Sequence, residues 1–143
     1  MIDLSTDKNL IGPWVFKKIG KVWHPEGREA VGLVRDDEVL AGCIVEDYTG
    51  NSCQMHIALA HAHVPLRKFI VAGFHYVFVD LGCEQVLGFV SSANKKALMF
   101  DMKLGFEPIA VIPKVYNDND LIIMRMLRSQ CRWIAAEARR KAA

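Results

Sequence analysis

The sequence predicts a single α/β domain with a mixed, mostly antiparallel sheet of about six strands and helices on both faces. Apolar segments at 30–35 and 38–47 are joined by Asp36-Asp37, and a turn of this length requires an antiparallel hairpin. Farther along, the apolar residues change from strand spacing to helix spacing and back, which indicates a helical crossover between parallel strands. With 143 residues, 52% of them hydrophobic, the chain can bury one core and is not intrinsically disordered.

The first half of the chain contains one helix and three strands by its pattern. Between residues 8 and 20, apolar residues recur at helical spacing with lysines between them, although Gly12-Pro13 interrupts the pattern. Polar residues at 24–29 predict a loop before the hairpin. The turn residues at 49–52 then lead into a third strand at 53–60.

The second half alternates between helices and strands. Pro65 suits the first position of a helix, and apolar residues at three- and four-residue steps extend that helix to Leu81, where Gly82 ends it. Prolines at 108 and 113 indicate that the strand containing them is irregular or lies at an edge. The remaining elements are predicted as strands at 85–91, 106–115 and 121–127, and as helices at 94–104 and 129–141.

Charge and cysteine content exclude several classes of protein. The net charge of +2 arises from residues 128–143, predicted as a basic C-terminal helix, so the rest of the chain offers no broad cationic face for nucleic acid. No apolar run is long enough for a transmembrane helix, and the first residues do not have the pattern of a signal peptide. Four cysteines without a C-x-x-C pair exclude a zinc ribbon and indicate free thiols. We therefore expect a cytoplasmic protein without a membrane partner.

Three short motifs between residues 81 and 106 occur in a characteristic order. Leu81-Gly82 precedes a strand, Asn94-Lys-Lys-Ala97 begins the next helix, and Lys103-Leu104-Gly105-Phe106 ends it. With the closing strand at 120–127, this order resembles the GNAT superfamily of N-acetyltransferases over residues 30–127. The resemblance implies a GNAT-like acyl-CoA N-acyltransferase fold and an enzyme that transfers an acetyl group from acetyl-CoA to an amine of unknown identity.

The resemblance also implies where acetyl-CoA binds. In such a fold two parallel strands separate, and the pantetheine arm pairs with the exposed backbone while the diphosphate lies at the N-terminus of the following helix. The carried-over positions are the end of the third strand, the start of the long helix and the next helix. They comprise Ile57, Ala58 and Leu59; His63, Val64, Leu66, Arg67 and Lys68; and Asn94, Ala97 and Phe100.

Two positions depart from the family's pattern. The diphosphate loop usually contains two glycines, but residues 61–66 here read His-Ala-His-Val-Pro-Leu. Many members place a tyrosine seven residues after the asparagine as general acid for the leaving thiolate, and Asp101 stands there instead. A carboxyl group can donate that proton only if its pKa is strongly raised. Short members with such weakened loops resemble those of bacteriophages and prophages, so an inactive binding or assembly module is the alternative function.

Histidines near the third strand are candidates for proton transfer. His56, His61 and His63 cluster there, and an unperturbed histidine titrates near neutral pH, as a general base for an amine requires. His61 and His63 could instead hold a metal with a third ligand such as Asp101 or Glu46, or could belong to a polar turn without chemistry. We take His56, His61 and Asp101 as the catalytic candidates and predict no metal site.

Other features leave alternatives open. Glu46, at the end of the second strand of the hairpin, could help to deprotonate the acceptor or could be a solvated strand end. Asn94 could contact pantetheine or simply cap its helix. The sequence also leaves open a protein partner and a homodimer.

Overall fold

The protein forms a seven-stranded sheet in the order β1-β2-β3-β4-β5-β7-β6, in a computed structural model that describes residues 1–140. β4 and β5 run parallel, and the other neighbouring strands are antiparallel. The strands are β1 (Ile2–Ser5), β2 (Glu29–Arg35), β3 (Glu38–Glu46), β4 (Ser52–Leu59), β5 (Gln85–Ser91), β6 (Glu107–Tyr116) and β7 (Asn119–Leu127). The helices are α1 (Lys8–Ile19), α2 (Arg67–His75) and α3 (Lys95–Leu104). Within residues 1–140, no helix has the length and apolar character needed to cross a membrane.

The predicted mixed sheet with helices on both faces is confirmed. α1 packs on one face with a small core that includes Phe16 and Ile44. The larger core on the other face contains Phe69 and Phe74 of α2, and residues of α3 pack against it. The two cores use alternate residues of the same strands, because successive side chains of a strand point to opposite faces.

Both ends of the chain differ from the prediction. The sequence predicts no strand at β1, because four residues without a buried side chain offer little pattern to detect. In place of the helix at 129–141, the described residues form two short 3₁₀ segments, Arg128–Gln130 and Ala136–Arg139. This segment binds other parts of the chain: Trp133 Nε1 donates to the carbonyl of Leu104 at 2.9 Å. Residues 141–143 of the predicted basic helix lie outside the described residues.

The long helix also differs from its prediction. It begins at Arg67, two residues after Pro65, and its last turn, Tyr76–Asp80, is π-helical. Gly82, with φ of +71°, ends this element as predicted. A π-helical turn adds one residue to the backbone ring, which changes the direction of the side chains that follow it.

A pair of glycines allows α1 to lie close to the sheet. Gly32 of β2 and Gly42 of β3 are directly opposite each other. A Cβ atom at Gly42 would lie 2.4 Å from Val15 Cγ2, and one at Gly32 would lie 2.5 Å from Ile11 Cδ1. Side chains at these two positions would therefore push α1 away from the sheet.

β4 and β5 pair over only three residue pairs, from Ser52 with Gln85 to Gln54 with Leu87. Beyond this point β4 continues to Leu59 beside β3, and β5 continues to Ser91 beside β7. The two strands therefore separate toward their carboxyl ends. This is the separation of parallel strands that the resemblance to the GNAT superfamily implies.

The four cysteines are buried thiols within this architecture. Cys43 and Cys53 lie on β3 and β4, and Cys83 lies just before β5. Burial raises the pKa of all four thiols. Buried, protonated thiols agree with the free cysteines predicted from the sequence.

We expect Gly42→Ala to lower the free energy of unfolding by about 1–3 kcal/mol, because the added methyl group overlaps Val15. The matched control is Gly73→Ala in α2, where an added Cβ meets nothing within 4 Å. Alanine should raise stability there by about 0.5–1 kcal/mol, since glycine disfavours a helix interior. Urea unfolding of both variants measures the difference. Equal effects of the two substitutions would contradict the role of the glycine pair.

Candidate active site

The gap between β4 and β5 is the central feature of the candidate site. Past Gln54, within residues 1–140, β4 pairs only with β3, so its edge toward β5 has no partner strand. Ile57 and Leu59 are half-buried and pack against the larger core, whereas Ala58 is buried in the smaller core. The backbone of these three predicted cofactor residues is therefore held rigidly at an open strand edge.

The turn between β4 and α2 is built without glycine. The N–H of His63 donates to His61 Nδ1 at 3.2 Å, and both imidazoles are exposed. Val64 is buried in the larger core and anchors the turn by apolar packing. His61 therefore lies beside His63 in an exposed turn and not in the buried environment of His56.

The N-terminus of α2 lies at the carboxyl end of β4. Ile70 is the first residue whose N–H bonds back along this helix, to the carbonyl of Leu66 at 2.9 Å. Leu66 has no side-chain acceptor, so the N–H groups of the first turn can receive an anion. The side chains of Arg67 and Lys68 are exposed and line a groove between α2 and the β1–β2 edge of the sheet.

α3 and its N-cap residue carry four predicted site residues. Asn94 Oδ1 accepts a hydrogen bond from the N–H of Ala97 at 3.2 Å, so the predicted cap is present, while the Nδ2 amide remains a possible donor to a ligand. Ala97 and Phe100 are half-buried against the larger core. Asp101 lies against Gly88: a Cβ added there would be 3.6 Å from Asp101 Oδ2. Gly88 directly follows Leu87, the last β5 residue paired with β4.

Asp101 has the raised pKa that a carboxyl group needs in order to act as a proton donor. Burial raises the pKa of its carboxyl group from 3.8 to about 7. In a substantial fraction of the molecules, this side chain is therefore protonated near neutral pH. Such a carboxyl group can donate a proton to a thiolate.

A buried hydrogen-bonded pair lies on the opposite face of the sheet. His56 Nε2 forms a hydrogen bond with Glu46 Oε2, and both side chains are more than nine-tenths buried. Because Glu46 pairs with Gln54, the side chain of His56 lies diagonally across the two strands on the same face. Glu46 is therefore not the solvated strand end that was the alternative interpretation.

Three further side chains hold this pair. Arg28 Nε donates to Glu46 Oε1 at 3.1 Å, and Lys21 Nζ lies 3.9 Å from Glu46 Oε2. The guanidinium of Arg28 stacks over Phe16 at 4.8 Å, and the His56 ring meets Phe16 edge-on with 5.6 Å between centroids. Neither Arg28 nor Lys21 is predicted from the sequence, since a loop arginine and a loop lysine have no pattern that separates them from solvated charges.

The pKa directions agree with a neutral imidazole beside an ionised carboxylate. Burial raises the pKa of Glu46, but the hydrogen bonds and charges of His56 and Arg28 outweigh it, and the net pKa is lowered. Burial, together with the charge of Lys21, lowers the pKa of His56. With Nε2–H donating to Glu46, Nδ1 of the imidazole keeps a lone pair and can accept a proton.

The structure thus brings His56 and Glu46 together and places Asp101 on the other face of the sheet, while His61 stands apart from both. His56 and Gly88 both lie just past the last β4–β5 residue pair. Among the described residues, no group of three histidine, cysteine, aspartate or glutamate side chains could hold a metal ion. The arrangement suits proton transfer on both sides of the opening.

We expect Asp101→Asn to raise the free energy of unfolding more at pH 8 than at pH 4. In the unfolded chain this carboxyl group releases its proton near pH 3.8, and in the folded chain it does so near pH 7. The group therefore destabilises the fold as the pH rises between these values. An amide has no such dependence. Urea unfolding at both pH values measures the change, with Asp118→Asn in an exposed turn as control. An equal gain at both pH values would contradict the buried, protonated carboxyl group.

Comparisons with known proteins identify the fold. No protein-family model matches the sequence, and no curated protein matches it. Among solved structures, a GNAT-family protein from Desulfovibrio desulfuricans has a TM-score of 0.71 at 19% identity, covering 89% of this chain and 99% of the other. A variant of the spermidine N-acetyltransferase SpeG from Vibrio cholerae has a TM-score of 0.73 at 14% identity, covering 95% of this chain and 98% of the other.

A third solved structure contains ligands. It is the Vibrio cholerae spermidine N-acetyltransferase in complex with CoA and spermine, with a TM-score of 0.65 at 14% identity over 90% of this chain and 96% of the other. At these identities the likeness concerns the fold. The chain therefore has the fold of the GNAT acetyltransferases, as the sequence motifs predicted.

Proposed function

We propose that the protein binds an acyl-CoA, with acetyl-CoA as the expected co-substrate, and transfers the acyl group to an amine. The observation that carries the proposal is the gap between β4 and β5, which opens after three residue pairs. An open strand edge facing a gap can bind an extended amide chain as an additional strand. Pantetheine is such a chain.

The groups around the gap support the binding of an acyl-CoA there. The free N–H groups at the start of α2 suit a diphosphate, and the exposed turn containing His63 lies next to them. The backbone of Ile57 to Leu59 would bind pantetheine, with Nδ2 of Asn94 as a further donor. The absence of glycine from the turn before α2 does not block the N–H groups at the start of this helix, because Val64 is buried and points away from the turn's exposed surface.

The proposed reaction is a direct transfer. The nitrogen of a neutral amine attacks the thioester carbonyl carbon, and backbone N–H groups of β4 stabilise the developing oxyanion. His56 Nδ1 accepts the proton that the attacking nitrogen loses, and Glu46 holds the resulting imidazolium. The carbon–sulfur bond then breaks, and the thiolate takes its proton from Asp101. His61 has no step in this reaction.

The amine acceptor would approach from the face of the sheet that carries His56. Lys21 and Arg28 place two positive charges around one carboxylate on that face.

The resemblance to bacteriophage-encoded members stays a prediction. The inactive binding module would replace the proposed enzyme if acyl-CoA failed to bind.

We expect isothermal titration to give saturable, micromolar binding of acetyl-CoA. His63→Glu should weaken it about tenfold, because a carboxylate would repel the diphosphate at the start of α2. Binding of acetyl-pantetheine, which lacks the diphosphate, should be unchanged in this variant. Gln130→Glu adds the same charge at a distant exposed position and serves as the control. Absence of binding at millimolar acetyl-CoA would overturn the proposed function.

We expect His56→Gln to lower the rate of acyl transfer about 10²–10⁴-fold, because the proton acceptor is lost, while the dissociation constant of acetyl-CoA stays unchanged. Release of CoA thiol with an amine acceptor found by screening measures the rate. His24→Gln replaces an exposed loop histidine and is the matched control. A normal rate in His56→Gln would exclude this histidine as the base.

A further inference from the structure

A second concave site lies on the other side of α2 from the β4–β5 gap. One wall is the stripe of α2 formed by Arg67, Lys68, Val71 and Ala72, and the opposite wall contains Leu4 of β1 and Val31 of β2. The groove has a volume of about 740 Å³, within the range of small-molecule sites. It extends along about two turns of α2, or roughly 12 Å.

The two ends of the groove differ in charge. Arg67 and Lys68 lie at the N-terminal end of α2, and within residues 1–140 neither forms an ion pair with a carboxylate. At the other end, the carboxylate of Asp80 lies 3.7 Å from the imidazole of His75. Glu29, at the start of β2, is bound by Lys8 at 3.6 Å. The positive charge along the groove is therefore confined to the end at the start of α2, and a carboxylate lies at the other end.

The middle of the groove is apolar. Val71 and Ala72 of α2 face Leu4 and Val31 across it, and Leu4 is 38% exposed. An aliphatic chain lying here would remove apolar surface from water, at about 25 cal/mol for each Å². A purely polar anion would gain only the positive charges at one end, and a cation would be repelled at that end.

We propose that this groove binds an amphipathic anion, a carboxylate with a short aliphatic chain, with the carboxylate between Arg67 and Lys68 and the chain along Val71 and Ala72. Arginine can bind a carboxylate through two parallel hydrogen bonds, and lysine adds a second charge. The site is separate from the gap between β4 and β5, and it does not depend on the proposed acyl transfer.

Methyl NMR of the full chain titrated with octanoate tests the proposal. We expect saturable shifts at Leu4, Val31, Val71 and Ala72. Octylamine, with the same chain and the opposite charge, and acetate, with the same charge and no chain, should both bind much more weakly. The double variant Arg67→Gln/Lys68→Gln should weaken octanoate about tenfold. The matched control, Lys95→Gln/Lys96→Gln, removes two adjacent exposed cations from the first turn of α3 and should not change binding.

Four outcomes would overturn the proposal. They are the absence of saturable octanoate binding, equal binding of octylamine, unchanged binding in the Arg67→Gln/Lys68→Gln variant, and displacement of octanoate by CoA. The last would mean that the groove belongs to the acyl-CoA site. Failure of acetyl-CoA to bind, with octanoate bound as expected, would overturn the proposed enzyme and leave this site intact.

Discussion

The architecture depends on the short parallel contact between β4 and β5. Three residue pairs join an antiparallel block of four strands to another of three, and on their other sides β4 pairs with β3 and β5 pairs with β7. Longer pairing would close the gap, and a shorter contact would leave the two blocks joined mainly by the helices. The length of this contact therefore sets both the continuity of the sheet and the depth of the opening.

The buried charges beside the gap show how α1 contributes to the candidate site. Glu46 and His56 can remain buried only because Arg28 and Lys21 compensate the carboxylate, since an unpaired buried charge is strongly destabilising. Phe16 of α1 supports both the guanidinium and the imidazole. The close approach of α1 over Gly32 and Gly42 thus brings an aromatic ring to the site, which links the packing of a helix to the protonation of a histidine.

The main elements of the fold could be predicted because hairpin turns and helical spacing are local signals. The short β1 and the 3₁₀ segments after β7 could not, since their conformation depends on contacts with distant residues such as Leu104. His56 and Glu46 were both identified as candidates, but their contact depends on the register between β3 and β4. Arg28 lacked any local signal, because its role arises only when the loop after α1 folds over the end of β3.

The four buried thiols give the protein an internal reporter of its own dynamics. A thiolate is the species that reacts with alkylating reagents, and these thiols are both inaccessible and protonated in the native state. Their alkylation must therefore wait for the structure to open. Cys53 and Cys83 flank the closed end of the β4–β5 gap, whereas Cys131 lies in the segment after β7. The order in which these cysteines react would consequently reveal whether the sheet separates at its parallel contact before the C-terminal segment detaches.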